Sequence, residues 1–157
     1  MEKVKKVLLV VFVMMFFIGI ILVTDFGKMK KYQNNEVTDL ANLGYRQMQT
    51  GDLVSGKVDY VLDTVAEEYE TKFGIRTSDD STKLYYIISL PNSYAVYETS
   101  NKEEYDTLDK ICNETWDYLN SEDGSAPAPT SSLMIQGEVT KMDDKVAGYF
   151  KDWFKEQ

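Results

Sequence analysis

Residues 7–23 read VLLVVFVMMFFIGIILV, seventeen positions without a charge or a polar side chain. Coiled as an α-helix, such a run is about 26 Å long, and Thr24 and Phe26 extend it towards the ~30 Å of a hydrocarbon core. Lipid offers no hydrogen-bond partner, so a lone apolar segment can cross it only as a helix, with every backbone group bonded internally. Lys3, Lys5 and Lys6 precede the run and Lys28, Lys30 and Lys31 follow it, placed to reach headgroups at both ends. The pattern predicts a transmembrane anchor over residues 7–26 behind a basic tail at 1–6. Two alternatives compete with it. A cleaved signal carries a shorter apolar stretch and ends in an A-x-A-like site, which LVTDF at 22–26 does not supply. A buried core helix that is apolar on every face is rare in a domain of this size. Three lysines on each side leave the positive-inside rule nearly balanced, and only the α-amino group tips it. The very short basic tail favours an N-terminus inside and a body outside. The expected localisation is therefore the cell membrane, single-pass, with an extracytoplasmic domain and the lipid bilayer as a partner through residues 7–26.

The charge is divided as unevenly as the hydropathy. The chain carries 17 Lys+Arg and 26 Asp+Glu, a net charge of −9. Residues 1–31 hold six of the basic groups and two of the acidic ones. That leaves 11 basic and 24 acidic groups in residues 32–157, a balance of −13. A body this acidic repels phosphate backbones, which argues against nucleic acid as a partner. With no histidine, Ser-His-Asp and Cys-His nucleophile systems and His-ligated zinc or haem are excluded. A lone Cys112 can form neither an internal disulfide nor a Cys₄ site. No cofactor is implied.

Beyond the anchor, residues 27–49 read as a polar juxtamembrane connector with a loosely patterned short helix at 36–48. Residues 50–157 read as the folded domain. Alternation predicts strands at 53–62, 84–90, 94–99 and 133–141, the middle two joined through Pro91-Asn92-Ser93 as a hairpin. Val54-Ser55-Gly56-Lys57-Val58 and Ile135-Gln136-Gly137-Glu138-Val139 share one form: aliphatic, polar, Gly, charged, Val. A glycine inside a strand points to a coil, a bulge or a close backbone approach. Ser100-Asn101-Lys102-Glu103 has the look of a capping box, opening a helix with Tyr105, Leu108, Ile111, Cys112, Thr115 and Leu119 on one face. A second amphipathic helix starts at Asp143-Asp144 and carries Val146, Tyr149, Phe150, Trp153 and Phe154. Residues 121–132 read as a solvated loop. Residues 63–83 are ambiguous: Val65, Tyr69 and Phe73 fit a helical turn, while 74–82 reads as an exposed loop.

The expected fold class is thus α+β: an N-terminal transmembrane helix, then a small curled antiparallel sheet or OB-like partial barrel packed with two amphipathic helices. A fifth barrel strand is missing, or hidden in 63–76. The runs GDLVSGKVDYVL (51–62), YYII (85–88) and GEVTKMD (137–143) resemble an uncharacterised family of membrane-anchored proteins from Gram-positive gut bacteria, known only as a domain of unknown function. The resemblance covers roughly residues 50–157 and implies no activity for any residue. Relatives of that kind often continue to a second span, whereas this sequence stops at Gln157, which leaves a truncated form and a shorter protein as the two readings.

Few residues carry chemistry. Cys112, beside Ile111 on an apolar face, reads as core. The pairs Glu67-Glu68, Asp79-Asp80, Glu103-Glu104, Glu122-Asp123 and Asp143-Asp144 are neighbours that point apart and make poor dyads. No calcium-loop pattern is present, and no metal site is expected. Tyrosine is the distinctive residue, eleven in all. Tyr85, Tyr94 and Tyr97 on the hairpin are the candidate ligand- or partner-binding residues, unless the two helices cover them. The functional expectation is a non-enzymatic, membrane-anchored binding module of the bacterial cell envelope, facing a membrane or envelope protein. A structural subunit of a membrane assembly and a carboxylate-dependent cell-wall hydrolase are the alternatives.

Overall fold

In the computed structural model, residues 29, 30, 34, 37–44, 48–73, 75–121 and 125–156 are described, residues 78–81 by backbone alone. The elements run β1 (Thr38–Asp39), a single 3-10 turn (Leu40–Asn42), β2 (Leu53–Val58), β3 (Val61–Lys72), β4 (Ile75–Leu90), β5 (Ser93–Thr99), α1 (Lys102–Leu119), β6 (Leu133–Glu138) and α2 (Asp144–Glu156). They make two three-stranded sheets, one in the order β1-β2-β6 and one in the order β3-β4-β5. Residues 38–157 form one compact unit.

The hairpin and both helices lie where the pattern places them. The turn at Pro91-Asn92 closes β4 on β5 with Leu90 opposite Ser93, and the register then runs without a shift to Leu84 opposite Thr99. Asn101 caps α1: its side chain accepts from the Glu103 N–H at 3.1 Å and donates to Glu104 Oε1 at 3.2 Å. This reciprocal cap sits one residue later than the box read from Ser100. The core is built from β2, the start of β3, β4, α1 and β6 and centres on Val58, Val61, Tyr86, Ile88, Leu108, Ile111 and Ile135. On one flank of the β3-β4-β5 sheet lies α1, whose Trp116 indole donates to the Leu62 carbonyl at 2.6 Å and whose Asp109 accepts from Tyr86 at 2.9 Å. On the other flank lies α2, whose Trp153 donates to Asp63 at 2.7 Å and whose Phe154 ring sits 5.0 Å from that of Tyr94.

Several expectations are corrected. The strand expected over 53–62 breaks at Asp59-Tyr60, and the ambiguous stretch after it is neither helix nor loop. It forms β3 and the first half of β4, an antiparallel hairpin with four register shifts. Its outer arm is exposed and charged, so cross-strand hydrogen bonding rather than a buried face sets its conformation, and hydrophobic periodicity carries no sign of it. The helix expected at 36–48 is only a 3-10 turn among the described residues. A two-residue strand precedes it and pairs with β2 in parallel, Thr38 opposite Val54. The sheet is therefore mixed, not purely antiparallel.

The OB-like barrel is corrected too, because neither sheet closes. The chain after β6 becomes α2 instead of a further strand, with apolar residues at helical spacing.

The last correction concerns the membrane. Among the described residues no helix is long and apolar enough to cross one. Helix α1 carries eight charged residues in 18, and α2, at 13 residues, is only about 20 Å long. The expected anchor at 7–26 lies outside the described residues. The single-pass, extracytoplasmic localisation, the lipid bilayer as partner and the envelope-anchored module are accordingly without support and go no further.

Candidate binding groove

The two sheets meet along a groove of about 630 Å³, flanked by β5 on one side and β6 on the other. Residues 94–98 of β5 and 135–140 of and after β6 line its walls. Leu40, Met48, Val54, Ile88 and Met142 supply the remaining lining, so the groove is chiefly apolar.

Local chemistry holds both walls in place. On β5, Tyr97 pairs with Tyr86 across the hairpin. Its hydroxyl donates to Glu104 Oε2 of α1 at 2.8 Å, and Thr99 donates to the same oxygen at 2.7 Å. Burial, then the carboxylate acceptors, push the Tyr86 and Tyr97 hydroxyls well above the ordinary tyrosine range. On the β6 side, the approach to the strand is pinned by Glu114 of α1. Its carboxylate accepts from the Thr130 and Ser131 N–H groups, both at 2.8 Å, and from the Ser131 hydroxyl at 2.8 Å. These donors hold the Glu114 carboxyl below its ordinary value. Beyond β6, Val139 exchanges backbone bonds with Gly51 and Asp52, each at 2.8 Å, and so extends the wall.

The two strand glycines have different roles. A Cβ on Gly56 would lie 2.7 Å from Leu40 Cβ, so Gly56 is required by the close approach of the 3-10 turn to β2. A Cβ on Gly137 would meet nothing within 4 Å, and Gly137 lines the groove. The repeated pattern in the sequence therefore marks a packing contact at one end and an open wall at the other.

The structure does not bring all three candidate tyrosines to one place. Tyr94 and Tyr97 line the groove. Tyr94 is half exposed against Phe154 of α2, whereas Tyr97 is turned to α1. Tyr85 is buried on the opposite face from Tyr97, where its hydroxyl donates to Glu68 at 2.6 Å. Burial, then that carboxylate, push it up to about 12. Ile135, Gly137, Glu138, Val139, Leu40 and Met48 were not read from the sequence as site residues; only the glycine in the echo pointed at one of them.

Other groups have little chemical reach. The Cys112 thiol is pushed up to about 11 by burial, and then by the negative charge of Asp63 and Asp109, so it holds its proton and is a poor nucleophile. Of the two acids on the groove, Glu98 is held at 2.7 Å by Lys83. Among the described residues no group of three or more Asp, Glu or Cys side chains could hold a metal ion.

The chain belongs to an uncharacterised family, described as Domain of unknown function (DUF8577), whose match covers residues 1–157. No curated protein and no solved structure matches it.

Proposed function

We propose that residues 38–157 form a non-catalytic binding module whose β5–β6 groove receives an elongated, mainly apolar ligand. The single observation behind this reading is the groove itself. It has the volume of a small-ligand site and an apolar lining, and at Gly137 its wall stands open where a side chain could have filled it. A side chain at that position would meet no neighbour, so the bare wall leaves the space to a ligand. The ion pair between Glu98 and Lys83 fits binding better than a hydrolytic pair of carboxylates, because it already occupies Glu98.

Gly137→Leu provides the test, since it places a side chain in the groove without meeting a neighbour. A solvatochromic dye titrated into the full chain and into this variant reports the groove as the difference between them. The expected result is a saturable component present in the full chain and lost in the variant at unchanged thermal midpoint. Equal dye binding by the two would refute the reading.

A further inference from the structure

We infer that the occupant of this groove is an extended peptide of a partner protein, bound by strand addition to the free edge of β5, with apolar residues at alternate positions and lysine or arginine at its flanks. The inference rests on the groove being the binding site. Its own support comes from the backbone. The Ser89 N–H donates to the Tyr60 carbonyl at 3.0 Å, so Ser89, Ile87 and Tyr85 turn their peptide groups towards β3. Leu90, Ile88 and Tyr86 turn theirs towards β5, where they meet Ser93, Ala95 and Tyr97. The N–H and C=O groups of Tyr94, Val96 and Glu98 consequently point away from the sheet. Among the described residues no hydrogen bond reaches them from outside it. All three residues line the groove.

Five residues from 94 to 98 span about 14 Å, enough to pair with a strand of about five residues. Such a strand would present alternate side chains to the apolar floor at Leu40, Val54 and Ile135, the usual division between backbone affinity and side-chain selection. Natural sheets protect free edges with prolines, bulges or several charges. Strand β5 has no proline, no register shift and a single charge, Glu98. Charge selects the partner. With 24 acidic and 11 basic groups in residues 32–157, a basic-flanked peptide is attracted, and a second copy of this chain is repelled.

Selection of random linear peptides on the full chain, with counter-selection on Gly137→Leu, tests the proposal. Enriched peptides are expected to alternate apolar and polar residues between basic flanks. Methylating the peptide nitrogens at one alternate set of positions should weaken binding at least tenfold, while the other set tolerates it. Val96→Pro removes one outward donor and no hydrogen bond to β4; it should leave the fold intact and weaken the same peptides at least tenfold. Three results overturn the inference: no enrichment over the variant, indifference to methylation at both sets, or self-association of the full chain that Val96→Pro abolishes. A groove that takes the dye but selects no peptide would defeat strand addition alone. A groove that takes neither would defeat both readings.

Discussion

Strands β3 and β5 are the two edges of one sheet, and they are built in opposite ways. β3 is bulged at four places along its pairing with β4, and its sequence VLDTVAEEYETK carries five charges in twelve residues. It is also overlaid at its root by both helices, through Trp116 at Leu62 and Trp153 at Asp63. β5 is regular, nearly uncharged and flanked by an apolar groove. Bulges and charges prevent a chain from pairing with a stranger, so the sheet protects one edge and leaves the other without those devices.

The sharpest way to break this contrast is a pair of prolines on β5. Ala95→Pro removes a donor that faces β4, and the unfolding free energy in urea should fall by about 3 kcal/mol or more. Val96→Pro removes a donor that faces the groove, and its cost should stay below about 1 kcal/mol. Similar losses for the two would erase the distinction between an inward and an outward register.

On the β3 side, Trp153→Phe keeps the aromatic contact with Phe154 and deletes the bond to Asp63. Chemical denaturation should show a loss of about 1.5–3 kcal/mol, the range for a bond to a charged acceptor. Smaller again is an alkaline effect that ties β4 to β3 through Tyr85 and Glu68. Unfolded tyrosine titrates near pH 10, whereas folded Tyr85 is pushed up to about 12. Its contribution to stability is therefore complete below pH 10, declines between 10 and 12 and is gone above that. The thermal midpoint of the Tyr85→Phe variant should fall less steeply across that window than that of the parent chain. Smallest of all is Glu98→Gln, which breaks an exposed ion pair with Lys83 and should cost under about 1 kcal/mol. It also removes the only charge of β5, so sedimentation should show more self-association at high concentration. An unchanged profile would mean that Glu98 does not guard that edge.

The legible parts of the fold were those whose sequence carries a local period. The LYYIISL and YAVYET strands and the two amphipathic helices bury one face or two, and their residues say so. The 63–83 stretch was illegible because its outer arm has no buried face: Glu67, Glu68, Glu70 and Lys72 are all exposed and leave no apolar period. Barrel closure was misjudged for a non-local reason, since whether a sheet closes depends on how β5 and β6 meet, and these lie about forty residues apart. The site was half legible for the same cause. Two of three candidate tyrosines border the groove, but Tyr85 lies across the sheet from Tyr97, and β6 was legible as a strand without any mark of a groove wall beyond the glycine in a short echo.

At the far end of the β3–β4 arm, Phe73 is 97% exposed with a φ of 53°, beside Ile75 at 71% exposed. A bulky residue in left-handed backbone at an exposed hairpin tip is the natural place for the polypeptide to be opened. A chymotrypsin nick after Phe73 would sever the main chain while the pairs from Val61–Ile88 to Glu68–Lys83 keep the halves together. The same position could accept a spliced-in reporter, or serve as the new ends of a circularly permuted chain, without touching either wall of the groove.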